Sequence, residues 1–129
     1  MAALAKRVLI VQPGSAPAPM RERFGDFPDW FARYLAPRVA LAVVRPYEHP
    51  LPAPSGFHGV LVTGSLASVT DPTAWMEETG AWLIETARTV PVLGVCFGHQ
   101  LLARAGRARR AEPARPRGGD GRDRAHGGR

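Results

Sequence analysis

Cysteine is nearly absent from this chain, and long hydrophobic runs are absent altogether. Cys96 is the single cysteine among 129 residues. It cannot form an internal disulfide, which fits a reducing compartment such as the cytoplasm. No apolar stretch approaches the roughly 20 residues of a membrane-spanning helix, and no secretory signal pattern opens the chain. The sequence therefore predicts a cytoplasmic protein with no membrane partner.

Signatures of metal and cofactor sites are missing as well. The four histidines and the one cysteine do not occur in a cluster with the spacing of metal ligands. The phosphate-binding pattern G-x-x-x-x-G-K-[ST] does not occur in the chain. We therefore expect no metal and no cofactor.

Large apolar residues are absent from residues 103–129. This segment has no Val, Ile, Leu, Met, Phe, Tyr or Trp, and it holds nine arginines against three acidic residues. It accounts for the whole formal net charge of +6, because the eight basic and eight acidic residues of 1–102 cancel. Such a segment cannot bury apolar surface. The sequence predicts a folded part, 1–104, and a disordered tail, 105–129, with a composition that GC-rich DNA would encode in a shifted frame.

Nucleic-acid binding is an alternative function that the arginines of the tail suggest, because clustered arginines bind phosphates in a salt-dependent way. The tail has no aromatic residue on which a base could stack, and it shows no helical periodicity. Any such binding should be weak and non-specific. We therefore expect no dedicated nucleic-acid partner.

The remaining sequence alternates between strand and helix patterns. Four short apolar segments rich in β-branched residues predict buried strands at 7–12, 39–44, 57–63 and 90–95. Helices are predicted over 26–35 and from Asp71-Pro72 to about Arg88, and proline-rich loops over 15–19 and 50–56. This order predicts an α/β fold, an open parallel sheet with helices on both faces and right-handed crossovers.

Residues 91–102 have the pattern of a strand, a sharp turn and the start of a helix, with Cys96 at the turn. Gly94 and Gly98 stand two residues before and after the cysteine. They allow the tight turn that lifts a nucleophile out of a sheet. A cysteine at the end of a buried strand is usually an inert apolar residue, but such a residue would not need two flanking glycines. We therefore predict that Cys96 is a nucleophile.

A second strand end marked by glycine lies upstream, at Thr63-Gly64-Ser65. Open parallel sheets bind their ligands at the carboxyl ends of the strands. If the third and fourth strands are neighbours, the backbone amides of Gly64 and Phe97 could converge beside Cys96. Two amides next to a thiolate form an oxyanion hole for acyl transfer. The alternative for Gly64 is an ordinary turn glycine.

These motifs resemble a known family. Residues 94–100, Gly-Val-Cys-Phe-Gly-His-Gln, are similar to the G-x-C-x-G-x-Q elbow of the class I glutamine amidotransferases, and residues 62–69 resemble the glycine loop of that family. The combined pattern is most similar to stand-alone members that resemble the amidotransferase domain of GMP synthase. The resemblance covers about residues 6–104. It implies a flavodoxin-like fold that is truncated after the elbow.

The resemblance also implies an activity and a set of site residues. Glutamine would be the substrate, and Cys96 would form a γ-glutamyl thioester and release ammonia for a synthetase partner acting in trans. Gly64 and Phe97 would form the oxyanion hole, and Gln100 and Gly98 would bind the substrate. His99 lies in the motif but is not the base of the family.

The chain departs from the family after the elbow. There the family has a His-x-Glu segment that supplies the base and its carboxylate, whereas the only later histidine here, His126, is followed by Gly-Gly-Arg. A thiol nucleophile of this type needs both groups. We therefore expect an impaired enzyme of truncated or frameshifted origin. The alternative is another cysteine-elbow hydrolase, either of the DJ-1-like or peptidase type or one that acts on γ-glutamyl amides.

Overall fold

The computed structural model describes residues 6–65 and 73–111. The described ranges contain four strands: β1 (Lys6–Val11), β2 (Val39–Val44), β3 (Gly59–Val62) and β4 (Val92–Gly94). They also contain four α-helices: α1 (Ala18–Phe24), α2 (Phe27–Leu35), α3 (Ala74–Thr86) and α4 (Phe97–Ala111). A short 3-10 turn at Pro54–Gly56 lies in the loop between β2 and β3.

The four strands form one parallel sheet in the order β2-β1-β3-β4. The chain crosses from β1 to the edge strand β2 through α1 and α2, and from β3 to β4 through α3. The predicted α/β fold with an open parallel sheet is therefore confirmed. All four strands end at the same edge of the sheet, which is where parallel sheets place their ligand sites.

Helices α3 and α4 cover one face of the sheet. Alternate strand residues point to this face, and they form the buried core together with Leu83 of α3 and Leu101 of α4. The strand residues of this core are Leu9, Val11, Val60 and Val62. Helix α2 lies against the opposite face, where Phe31 and Leu35 line an apolar groove beside Leu61.

Two helix starts differ from the sequence prediction. Residues 15–19 were expected to be a loop, but α1 begins at Ala18 with Pro17 as its N-cap and Pro19 in its first turn. Proline is tolerated there because the first amides of a helix have no acceptor within it. Helix α3 begins at Ala74 with Thr73 as its N-cap. The predicted start at Asp71-Pro72 lies outside the described residues.

Helix α4 continues to Ala111, beyond the predicted domain boundary at residue 104. Alanine and arginine, which dominate this part of the chain, are both strong helix formers, and this local propensity does not depend on large apolar residues. The prediction of disorder for residues 105–129 did not take this helix into account. Residues 112–129 lie outside the described residues.

Candidate active site

The turn between β4 and α4 carries Cys96. In the described ranges it is the one residue other than glycine with a positive φ, which is 53°. Residues with a Cβ avoid this left-handed region, so a cysteine found there is held by its surroundings. The cysteine is exposed. The structure therefore contains the strand, turn and helix that residues 91–102 predicted, with the thiol accessible to solvent.

Close contacts require the two glycines that flank this turn. A Cβ at Gly94 would lie 2.6 Å from the carbonyl carbon of Gly98 and 2.7 Å from the amide nitrogen of His99. A Cβ at Gly98 would lie 2.5 Å from the carbonyl oxygen of Val62 in the neighbouring strand. Any larger residue would push α4 away from the sheet. Glycine at both positions lets the first turn of α4 rest on the ends of β3 and β4.

The ends of β3 and β4 lie side by side. Val62 is paired with Gly94, and the Val95 amide donates to the Val62 carbonyl at 3.0 Å. Gly64 follows Val62 by two residues, just as Cys96 follows Gly94. The predicted oxyanion hole depended on the third and fourth strands being neighbours, and they are.

Phe97 begins α4 and anchors it to the core. Its side chain is buried, and its ring centroid lies 6.5 Å from that of Trp75 in α3. Amide groups in the first turn of a helix have no acceptor inside the helix, and they favour negative charge. The Phe97 amide directly follows Cys96 in the chain. The pairing of this amide with that of Gly64 as an oxyanion hole stays a prediction.

The two predicted substrate-binding residues differ in exposure. Gln100 is exposed in the first turn of α4, and its backbone amide donates to the Cys96 carbonyl at 3.1 Å. Gly98 is buried against Val62, and its amide donates to the Val95 carbonyl at 3.0 Å. The contacts of Gly98 thus hold the turn in place, and the binding of glutamine by both residues stays a prediction.

None of the three histidines in the described ranges is hydrogen-bonded to Cys96 or to a carboxylate. His58 precedes β3, at the opposite end of this strand from the elbow, and its Nδ1 accepts from the Arg7 amide at 3.0 Å. His49 is exposed in the turn after the edge strand β2, and His99 is exposed in the first turn of α4. His126 lies outside the described residues. In the described part of the chain Cys96 therefore has no histidine partner, and its role as a nucleophile stays a prediction.

Sequence reasoning missed a hydrogen-bonded cluster at the same edge of the sheet. The Asp26 carboxylate accepts from the Ala16 amide, the Phe27 amide and Gln12 Nε2, each at 2.9 Å. Gln12 is fully buried directly after β1, and its Oε1 accepts from Arg45 Nε at 3.2 Å. The signal in the sequence was Asp26 three residues before Asp29 at a helix start, a capping-box pattern. This pattern is typical of a helix start and indicates nothing about the site.

Asp26 is held as a carboxylate by this cluster. Burial raises its pKa, but hydrogen bonds from the backbone amides of Ala16 and Phe27 and from the side chains of Ser15 and Gln12 together lower it further, so the net pKa lies below its usual value. The negative charge is therefore present at neutral pH. Through its hydrogen bonds the Asp26 carboxylate joins the loop after β1 to the start of α2.

Comparisons with known proteins place these features in a family. The model of the family described as glutamine amidotransferase class-I matches residues 24–122. This range includes the ends of β3 and β4, the elbow and all of α4, and it is more than half of the chain. The chain belongs to the class I glutamine amidotransferases. The match also extends past the predicted domain boundary at residue 104, in agreement with the continuation of α4.

A solved structure of the same kind supports the assignment. The chain is similar to the crystal structure of a glutamine amidotransferase from Methylobacillus flagellatus, with 30% sequence identity and a TM-score of 0.60. The similarity covers 79% of this chain and 39% of the other, so this amidotransferase chain spans well under half of that protein. No curated protein matches the chain.

Residues 6–65 and 73–111 contain neither a metal-binding group nor a membrane-spanning helix. No three side chains of His, Cys, Asp or Glu are grouped so that they could hold a metal ion. None of the helices there has both the length and the apolar character that crossing a membrane requires.

Proposed function

We propose that this amidotransferase chain breaks the side-chain amide of glutamine through Cys96. The sulfur adds to the amide carbon, the C–N bond breaks, and the nitrogen leaves as ammonia with the proton of the thiol. A γ-glutamyl thioester remains on Cys96, and water hydrolyses it to glutamate. The observation that carries the proposal is the exposed cysteine at a φ of 53° in the glycine-flanked elbow of a class I glutamine amidotransferase.

The backbone amides of Gly64 and Phe97 act on the carbonyl oxygen in this proposal. The oxygen gains negative charge when sulfur adds, and preorganised amides stabilise that charge. The neighbouring strand ends and the helix start beside Cys96 support this assignment. Gln100 and Gly98 hold the glutamine, and the ammonia passes to a synthetase partner.

The 129 residues turn glutamine over slowly in this proposal, because the described residues supply no base for Cys96. The described histidines are not paired with Cys96, and no His-x-Glu follows the elbow in the sequence. Without a base the thiol has to lose its proton to solvent before it can attack. Imidazole added to the solution can replace such a base.

Labelling with a chloromethyl ketone tests the nucleophile and the substrate together. The probe is glutamine with a CH2Cl group in place of the amide NH2, and chloroacetone is the control that lacks the amino-acid head. We expect labelling of Cys96 that is faster than with chloroacetone, is slowed by added glutamine, and is lost in Cys96→Ala. Equal rates with the two ketones and no protection by glutamine would overturn the proposal. That result would favour another type of cysteine-elbow hydrolase.

Chemical rescue tests the missing base. We expect ammonia release from glutamine to rise with imidazole concentration in the 129-residue protein and to stay at background in Cys96→Ala. Fast ammonia release without imidazole, through Cys96, would show that the chain has a base of its own. In that case the proposed impairment is wrong.

A further inference from the structure

We propose that Asp26 is a positioning residue for the backbone amide of Gly64. The inference rests on the proposed function, in which this amide is a donor of the oxyanion hole. Asp26 does not touch the reacting atoms in this scheme. It acts through two segments that lie against the Gly64-Ser65 pair, namely the start of α2 and the loop after β1.

The first segment is the start of α2, which places an aromatic ring against Gly64. The nearest atoms to a Cβ built on Gly64 belong to the Phe27 ring, at 3.5, 3.7 and 3.9 Å. These are ordinary van der Waals distances for a Cβ, so the ring borders this turn and leaves space for about one methyl group between itself and Gly64. Phe27 directly follows Asp26, and its amide donates to Asp26 Oδ1 at 2.9 Å.

The Phe27 ring is itself held in orientation. It makes an edge-to-face contact with Trp30, with the ring centroids 5.2 Å apart and an angle of 89° between the planes. Trp30 Nε1 in turn donates to the Phe24 carbonyl at 2.9 Å. The ring therefore presents a fixed surface to Gly64.

The second segment is the loop after β1, which lies against Ser65. A Cβ on Gly14 would collide with the Ser65 side chain, so the two backbones approach as closely as glycine allows. Asp26 holds this loop from both sides of Gly14. Gln12 Nε2 donates to Asp26 Oδ2 at 2.9 Å, and the Ala16 amide donates to Asp26 Oδ1 at 2.9 Å.

One carboxylate thus joins both segments that border the turn after β3. The buried Gln12 amide is held on its other side by Arg45, so it cannot rotate without losing a second hydrogen bond. An oxyanion hole depends on donors that are in place before the charge develops. Loss of the link between Asp26 and Gln12 should let the turn at Gly64 move while the sheet stays intact.

The test compares two alkylating probes on the whole 129-residue chain. The glutamine-shaped chloromethyl ketone develops an oxyanion when Cys96 adds to its carbonyl. With iodoacetamide the sulfur displaces iodide directly from the CH2 carbon, and no oxyanion forms. The ratio of the two rate constants therefore reports the oxyanion hole. Changes in the reactivity of the thiol or in overall stability affect both probes and cancel in this ratio.

Two variants change the ratio if the inference holds. Asp26→Asn keeps a good N-cap for α2 but places an NH2 group against Gln12, and Phe27→Leu removes the ring from Gly64. We expect each to lower the ratio by about 10-fold, less than the ~100- to 1,000-fold lost when a donor is removed outright. Both substitutions act on the same amide. The fold-decrease of the ratio in the double variant should therefore be smaller than the product of the two single fold-decreases.

Asp29→Asn is the matched control. It makes the same chemical change in the same helix, and its remaining oxygen can still accept from the Asp26 amide. Asp29 is not hydrogen-bonded to Gln12 or Ala16, so the ratio of rate constants in Asp29→Asn should equal that of the wild type. If the wild-type ratio is higher than that of glutathione but Asp26→Asn and Phe27→Leu leave it unchanged, the inference is overturned and the proposed function stands. A wild-type ratio equal to that of glutathione would overturn the proposed function and the inference together.

Discussion

At the scale of single residues, the elbow combines one strained residue with two glycines that allow no side chain. A residue other than glycine held at positive φ costs of order 1–3 kcal/mol, which the surrounding packing has to offset. Here the offset comes from Phe97, which is buried in the core, and from the contacts of Gly94 and Gly98. The conformation of Cys96 therefore depends on how the residues around it pack.

Replacement of Gly98 tests this dependence. In Gly98→Ala the new Cβ would lie 2.5 Å from the Val62 carbonyl oxygen, and backbone on either side has to move. We expect the free energy of unfolding to fall by at least about 1–3 kcal/mol, the usual cost of overpacking. Urea unfolding followed by circular dichroism measures the change.

Gly64→Ala is the control for this substitution, because it adds the same methyl group at the neighbouring strand end. Its Cβ would meet the Phe27 ring at 3.5 Å, an ordinary contact, and Gly64 does not have a positive φ. Alanine there should not destabilise the protein. It lowers the conformational entropy of the unfolded chain, which stabilises the folded state by about 0.4–1 kcal/mol. Equal stability of the two alanine variants would contradict the conclusion that close packing of Gly98 on Val62 holds the turn in place.

At the scale of elements, α3 and α4 each have a glycine facing the other helix, and only the glycine of α3 is required by close packing. A Cβ on Gly80 of α3 would lie 3.0 Å from the Cβ of Ala105 in α4, whereas one on Gly106 would lie 3.9 Å from Ile84 Cδ1. The first position is at the limit of close approach, and the second has room. Where a helix has room for a methyl group, glycine lowers the stability of the protein by about 0.5–1 kcal/mol relative to alanine.

The two glycines should therefore respond differently to the same change. We expect Gly106→Ala to raise the free energy of unfolding by about 0.5–1 kcal/mol, because it gains helix propensity without a clash. Gly80→Ala should gain less or lose stability, because α4 must shift away from α3. Thermal unfolding of the two variants beside the wild type measures both effects. A larger gain from Gly80→Ala would show that the two helices are not held by this contact.

At the scale of the whole molecule, the two faces of the sheet are covered unequally. Helices α3 and α4 cover one face, but the other carries an open apolar groove of about 520 Å³ between α2 and the strands. Leu93 in β4 lines this groove and is 62% exposed. Among the described strands, β4 pairs only with β3, so one of its edges is unpaired. An unpaired strand beside exposed apolar surface favours association.

We predict that the 129-residue chain associates as its concentration rises and that Leu93→Gln reduces this association. The change removes apolar surface from the groove without altering the buried core. Met20→Gln is the control, because Met20 is also exposed, at 43%, but lies in α1 outside the groove. Sedimentation velocity over a range of concentrations measures the effect. Association that both variants reduce equally, or a monomer at all concentrations, would contradict the prediction.

The strands and the elbow could be predicted because their signals are local. The predicted range of the second strand, 39–44, is that of β2, and the glycines around Cys96 predicted the turn that the structure contains. Helix α1 could not be predicted because prolines such as Pro17 and Pro19 are typical of loops but are also compatible with the first turn of a helix. The continuation of α4 was missed because the lack of large apolar residues after residue 102 was weighed above the helix propensity of alanine and arginine.

The amino-acid sequence by itself determined the fold class, the elbow around Cys96 and the family, because each depends on residues that are close together along the chain. Only the tertiary structure brought the turn after β1, the start of α2 and Gly64 to one edge of the sheet. Asp26 is 14 residues from Gln12 in sequence, and Phe27 is 37 residues from Gly64. No periodicity or spacing encodes such contacts, because they follow from the strand order β2-β1-β3-β4, which is a property of the folded sheet.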